Sequence, residues 1–171
     1  MAGLFSALTD PVALFLALVL ASAAGHKLVA TDRLGAAAGN LLGLAPPLAR
    51  SALFAAAALE AVSALALVLP ATRLIGAMLA IVLWAIYAAA LLRSSASVDC
   101  GCSFSAHRHG IGKFDRMRPL ALIVLASLVA LSGPVATIPV EAVFAALALF
   151  SFYLAAGELA ALPTVSRSIA R

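Results

Sequence analysis

The sequence predicts an all-α membrane protein, a single polytopic bundle of about five spans, and three observations carry that prediction. Apolar residues fill 65% of positions and the mean hydropathy is +1.15. Charged residues make up 11%, less than half of the roughly 25% with which soluble domains cover their surface. The apolar residues also come in runs of about twenty, the helix length that crosses a hydrocarbon core. A chain of 171 residues is thus read as one integral membrane domain, 1–171, with most of its surface turned to lipid.

The net charge of +4 comes from few residues, gathered at segment ends. That pattern suits anionic lipid headgroups. No basic stripe interleaved with aromatics occurs, so the bilayer is the expected partner and nucleic acid is not.

The first span is expected over 11–30. Ala21-Ser22-Ala23 looks like a cleavage site, but no basic segment precedes the apolar run and the run continues to Ala30, so the helix is read as retained. It closes on Gly25-His26-Lys27, where a lysine ordinarily snorkels to the headgroups. Residues 34–49, broken by Pro46-Pro47, are too short to cross and are read as an interfacial helix or re-entrant loop. The second span, 51–69, carries Glu60 near its centre. A carboxylate at mid-bilayer costs roughly 2.5 to 3.5 kcal/mol on insertion scales, so it faces inward and finds a partner or a proton. Helical spacing puts Ala56, Ala57, Ser63, Ala64 and Leu67 on its face, a small surface that lets another helix come close. His26 and Lys27 are its expected partners. The difficulty is depth, because Glu60 lies roughly 15 Å into a helix that starts near Ser51. A protonated glutamic acid acting as interhelical glue is the alternative.

A third span is expected over 74–92, with Trp84 and Tyr87 as packing aromatics. A polar loop, 94–118, follows, and Pro119 suits the first turn of a fourth span over 117–136. A fifth runs over 140–162.

The polar loop holds both cysteines and two of the three histidines within Val98 to His109. Cys100 and Cys102 can meet only across a sharp bend, which Gly101 permits without a Cβ. A ring so small is strained and readily reduced, a property of exchange disulfides rather than structural ones. His107, Arg108 and His109 favour a thiolate and Asp99 opposes it. Redox chemistry at Cys100 and Cys102 is one reading. A metal site formed by Cys100, Cys102, His107 and His109 is another, although structural zinc sites space paired cysteines more widely. An inert solvated loop is the third.

With Asp99-Cys100-Gly101-Cys102 ahead of the penultimate apolar segment, Gly25-His26-Lys27 closing the first helix and Glu60 inside the second span, the chain resembles the MauE family, methylamine utilisation membrane proteins related to DoxX. The resemblance covers roughly 11–133. It implies a four-helix core in the plasma (inner) membrane, with a C-terminal helix added here. It also implies disulfide formation in methylamine dehydrogenase with a thioredoxin-like partner of the MauD type. The arrangement is similar as well to vitamin K epoxide reductase, where a cysteine motif at a helix end feeds a quinone, which makes a quinone the candidate cofactor. The sequence departs from the family in Ser103, Ser105 and the His107-Arg108-His109 run.

Five spans put Lys27, Arg33, Arg50, Arg93, Arg108, Lys113, Arg116, Arg118, Arg167 and Arg171 on one side and Arg73 on the other. The positive-inside rule then assigns the cysteine loop to the cytoplasm. Disulfide formation calls for the opposite side, and both orientations stay open. A second functional class stays open too: an accessory subunit of a larger membrane complex, or a carrier with Glu60 and Lys27 along its polar pathway.

Overall fold

A computed structural model describes residues 2–93, 113–132 and 138–161. The described chain is helical, without strands: α1 (Ala2–Val29), α2 (Thr31–Leu42), α3 (Pro46–Val68), α4 (Arg73–Arg93), α5 (Lys113–Ala130) and α6 (Val140–Ala161), with a 3-10 turn at Pro70–Thr72 between α3 and α4. It is an all-α polytopic membrane bundle. Four helices are long and apolar enough to cross a membrane: Leu8–Val29 within α1, Pro46–Val68, Pro70–Arg93 and Val140–Ala160.

The packing order is a ring. α1 lies against α3, α3 against α4, α4 against α5, and α5 returns to α1, while α6 packs along α1 outside the ring. α5 is shorter than its neighbours, and Lys113, Asp115, Arg116 and Arg118 fall in its first six positions. Its apolar part still closes the ring, burying Leu122, Ala126 and Val129.

The interior is built from small residues. Ala13, Ala17, Ala57, Ala64, Ala77, Ala80, Ala126 and Ala146 are buried, while Leu65, Ile75, Val82, Ile86, Val124, Phe144 and Phe152 point outward. In lipid no hydrophobic force separates large apolar side chains from their surroundings, so close backbone approach favours alanine inside. The tightest approach is at Gly76 of α4, where a Cβ would lie 2.6 Å from the amide nitrogen of Leu67.

Several boundaries differ from those expected. Pro46 and Pro47 do not separate α3 from a loop; they open it, since the first amides of a helix lack intrahelical acceptors and proline loses nothing there. α3 thus starts five residues before the expected 51. α2 ends at Gly43, whose φ of 66° is the left-handed conformation glycine adopts most readily, and the Leu44 amide closes the turn on the Gly39 carbonyl. α2 then folds back on the start of α3, tied by Arg50 Nη2 to Asp32 Oδ1 at 2.7 Å. At twelve residues it is too short to cross, as expected for 34–49. α1 does not begin at Pro11 but runs through it from Ala2, because proline removes only one ladder bond and Asp10 is held from outside the helix. α5 starts at Lys113 and ends at Ala130, earlier than the expected 117–136.

Candidate functional site

Three helices meet at Glu60, the one carboxylate that α3 carries in its interior face. Glu60 is 1% exposed. Lys27, from the last turn of α1, donates to both carboxylate oxygens, at 2.7 Å to Oε1 and 2.9 Å to Oε2. The Tyr87 hydroxyl of α4 donates to Oε1 at 2.8 Å. Lys27 Nζ also lies 5.4 Å from the centroid of the Tyr87 ring, in cation–π range. The sequence face of Glu60 is the buried one, with Ala57, Ser63, Ala64 and Leu67 beside it.

Depth, the obstacle to the Lys27–Glu60 pair, is removed by two features. α3 rises past the end of α1, so Glu60 stands about 21 Å from Pro46, and α2 covers the projecting turns. Helical side chains also lean toward the N-terminus of their own helix. On antiparallel α1 and α3 this turns Lys27 inward and Glu60 toward it, and Tyr87 leans down α4 onto the same carboxylate. The end of α1 is finished separately: the Thr31 hydroxyl bonds the carbonyls of Lys27 and Leu28, and Arg33 Nη2 lies 3.2 Å from His26 Nε2. His26, the other expected partner of Glu60, therefore faces Arg33.

Below the cluster the core is apolar. Leu16, Leu20, Leu67, Ala80 and Trp84 fill the bundle in the direction of the 3-10 turn, all buried in one cluster. Ser63 bonds the Leu59 carbonyl of its own helix and offers no polar step downward. Lys27, at 18% side-chain exposure, is the member that reaches outward, toward the end where α1 finishes and α3 begins. α4 leaves the bundle at this end and α5 enters it.

Sequence reasoning missed two features. Tyr87 was read as packing, though a hydroxyl within an uncharged span was a signal, because a buried phenol needs a partner. Asp10 lies just outside the expected span 11–30, yet it is buried and accepts from Arg73 Nη1 at 2.5 Å. This second ion pair sits at the opposite end of α1, with Arg73 Nε and Nη2 buried and unpartnered. Arg118 of α5 stacks on the Tyr153 ring, 4.4 Å from its centroid, and bonds its hydroxyl, joining α6 to the bundle.

The cysteine motif, Cys100, Gly101 and Cys102, lies outside the described residues, as do His107 and His109. Among the described residues no group of three His, Cys, Asp or Glu side chains is placed to hold a metal.

Residues 4–133, from α1 to the end of α5, match the family described as Methylamine utilisation protein MauE. The chain belongs to the MauE family. The match takes in Cys100-Gly101-Cys102 and the Lys27–Glu60–Tyr87 cluster, and α6 lies beyond it. Searches among curated proteins and solved structures gave no match. This MauE-family chain is a multi-pass membrane protein related to methylamine utilisation.

Proposed function

We propose that this MauE-family protein is a thiol–disulfide relay of the plasma membrane in which Cys100 and Cys102 cycle between dithiol and disulfide in exchange with a thioredoxin-like partner. Methylamine dehydrogenase-type disulfide formation is the process it serves. Membership of the MauE family, with the Cys-Gly-Cys motif inside the matched region, carries the reading. The chemistry balances within the exchange: a partner thiolate attacks one sulfur of the Cys100–Cys102 disulfide and the other sulfur leaves, then the partner's second thiol displaces the attacked sulfur from the mixed disulfide, so that two electrons and two protons end on this chain as the partner becomes the disulfide. A bilayer quinone is the candidate acceptor for reoxidation.

Two details favour the relay over a carrier in which Glu60 and Lys27 line a pathway. The apolar layer of Leu16, Leu20, Leu67 and Trp84 separates the cluster from the far end of the bundle. The cluster also opens toward the end from which α4 leads into the cysteine segment.

The test uses Cys100→Ser and Cys102→Ser singly. One of them should accumulate a reductant-sensitive mixed disulfide with a thioredoxin-like partner. Wild-type thiols that stay fully modifiable under oxidising conditions, or a stoichiometric metal released on their modification, would replace the relay with the inert loop or the metal site.

A further inference from the structure

We propose that the groove between α1, α3 and α6 is a phospholipid site: one acyl chain lies along it, and the phosphate of an anionic headgroup meets Arg50 beyond the end where α1 finishes. The site is independent of the cysteine chemistry. One of its walls is α6, the helix outside the family match, so the added helix completes it.

The groove has a volume of about 570 Å³ and runs from Leu14 to Leu28 of α1, with Ala61 to Val68 of α3 on one side and Val143 to Leu147 of α6 on the other. It exists because α6 packs along α1 without closing onto α3. Among the described residues no polar side chain lines it. Ala24, Ala64 and Ala146 form a buried floor, while Ala21, Gly25 and Leu65 are exposed along the mouth. In a membrane protein such a groove opens sideways, onto hydrocarbon.

Its dimensions select the occupant. Leu14 and Leu28 stand about 21 Å apart along α1, so the volume corresponds to a channel about 27 Å² in section and about 6 Å across. A helix with its side chains is about 10–12 Å in diameter and does not fit. One extended hydrocarbon chain does, and the groove is long enough to take it through one leaflet, about 15 Å of hydrocarbon. A lining without atoms opposite it forfeits its dispersion contacts, so the chain is held by contact along its whole length.

Charge decides where the headgroup sits and what sign it carries. The end where α1 finishes holds His26, Lys27, Arg33 and Arg50 against Asp32 and the enclosed Glu60. The other end has Asp10 with Arg73, and Glu141 in the first turn of α6. Lys27 is engaged by Glu60, and His26 and Arg33 face each other. Arg50 is the cation over the groove. It precedes Ala61 by eleven residues, three helical turns, and so stands on the same side of α3. Its side chain is 61% exposed and uses Nη2 on Asp32, itself 89% exposed. A planar guanidinium suits two phosphate oxygens, and a phosphate arriving there competes with the Asp32 carboxylate.

The experiment is native mass spectrometry of the full-length protein released from nanodiscs of equal phosphatidylglycerol and phosphatidylcholine. One phospholipid should stay bound to each chain, the anionic one favoured about five-fold, the effect of one basic residue at a membrane surface. Ala21→Phe and Ala61→Phe, which fill the mouth, should lower retention of both lipids about ten-fold. Ile86→Phe, exposed on α4 away from the groove, should not. Arg50→Gln should keep the lipid and lose the preference, whereas Asp32→Asn should raise the preference by removing the competing carboxylate. Fluorescence of the buried Trp84 checks that each variant is folded. Retention unchanged in both groove variants would overturn the site, and a preference unchanged in Arg50→Gln would overturn its headgroup contact. A dimer that Ala21→Phe dissociates would put a second copy of the chain in the groove instead, and a retained neutral isoprenoid would replace the phospholipid; either result overturns the proposal.

Discussion

Removing Lys27 alone strands Glu60, and the cost of that step measures how far the cluster depends on charge. Breaking a buried ion pair from one side costs about 3–5 kcal/mol, whereas removing both partners together is often neutral or better. Lys27→Met should fall at the lower end, about 3 kcal/mol, because Tyr87 keeps one donor on Oε1 and Lys27 is itself partly exposed. Glu60→Gln should cost less, about 1–2 kcal/mol, since the freed ammonium can reach the interface by snorkelling. The double variant should lie within about 1 kcal/mol of wild type, giving a coupling of about 2 kcal/mol or more. An ordinary interhelical hydrogen bond in a membrane averages about 0.6 kcal/mol in such cycles, so the two cases separate clearly. The assay is reversible unfolding in mixed micelles read by the fluorescence of Trp84, the sole tryptophan, buried on α4 one turn before Tyr87. A coupling at or below about 0.6 kcal/mol would refute the argument and leave Lys27 as a snorkelling lysine that happens to touch Glu60.

Gly76→Val should destabilise by about 1–3 kcal/mol and weaken the Tyr87–Glu60 contact, because a Cβ there meets the Leu67 amide nitrogen at 2.6 Å and pushes α4 from α3; unfolding of the variant beside Gly25→Ala, where a Cβ meets nothing within 4 Å, checks it. Reporter fusions at the two termini should report opposite sides of the membrane if α5 crosses beside the four helices long and apolar enough to do so; the same side at both ends would mean that α5 does not cross.

The legible part of the fold was what polarity alone decides. In a chain this apolar, an interior carboxylate draws its partner from a short roster of cations, so Glu60 and Lys27 could be paired before their helices were placed. The buried face of α3 followed from helical spacing for the same reason. Register was not legible: a proline pair after a glycine can end one element or open the next, and here Gly43 caps α2 in the left-handed conformation while extended Ala45 caps α3 and the prolines take its first turn. Asp10 stands just before the apolar run that sets the expected span 11–30, and its burial depends on Arg73, 63 residues further along the chain. Tyr87 was visible only as an aromatic, because a single sequence does not say which face of α4 meets α3. The cysteine motif shows the reverse balance, with a chemistry that can be argued from residue types and a geometry that cannot be derived from them.

The two ion pairs on α1 bear on how the protein is made. Asp10 and Lys27 stand about 26 Å apart along one helix, and their partners belong to α4 and α3. When α1 emerges from the ribosome neither partner has been synthesised. Both charges lie within a turn of the ends of the apolar run Leu8–Val29, so each costs less than the roughly 2.5 to 3.5 kcal/mol of a charge at mid-span, and before its partner arrives it is drawn toward the headgroups. The arrival of α3 neutralises one end and that of α4 the other. The packed position of α1 is therefore completed only once the first 93 residues are in the bilayer, and a truncation before Arg73 should leave Asp10 accessible from the aqueous side although α1 remains inserted.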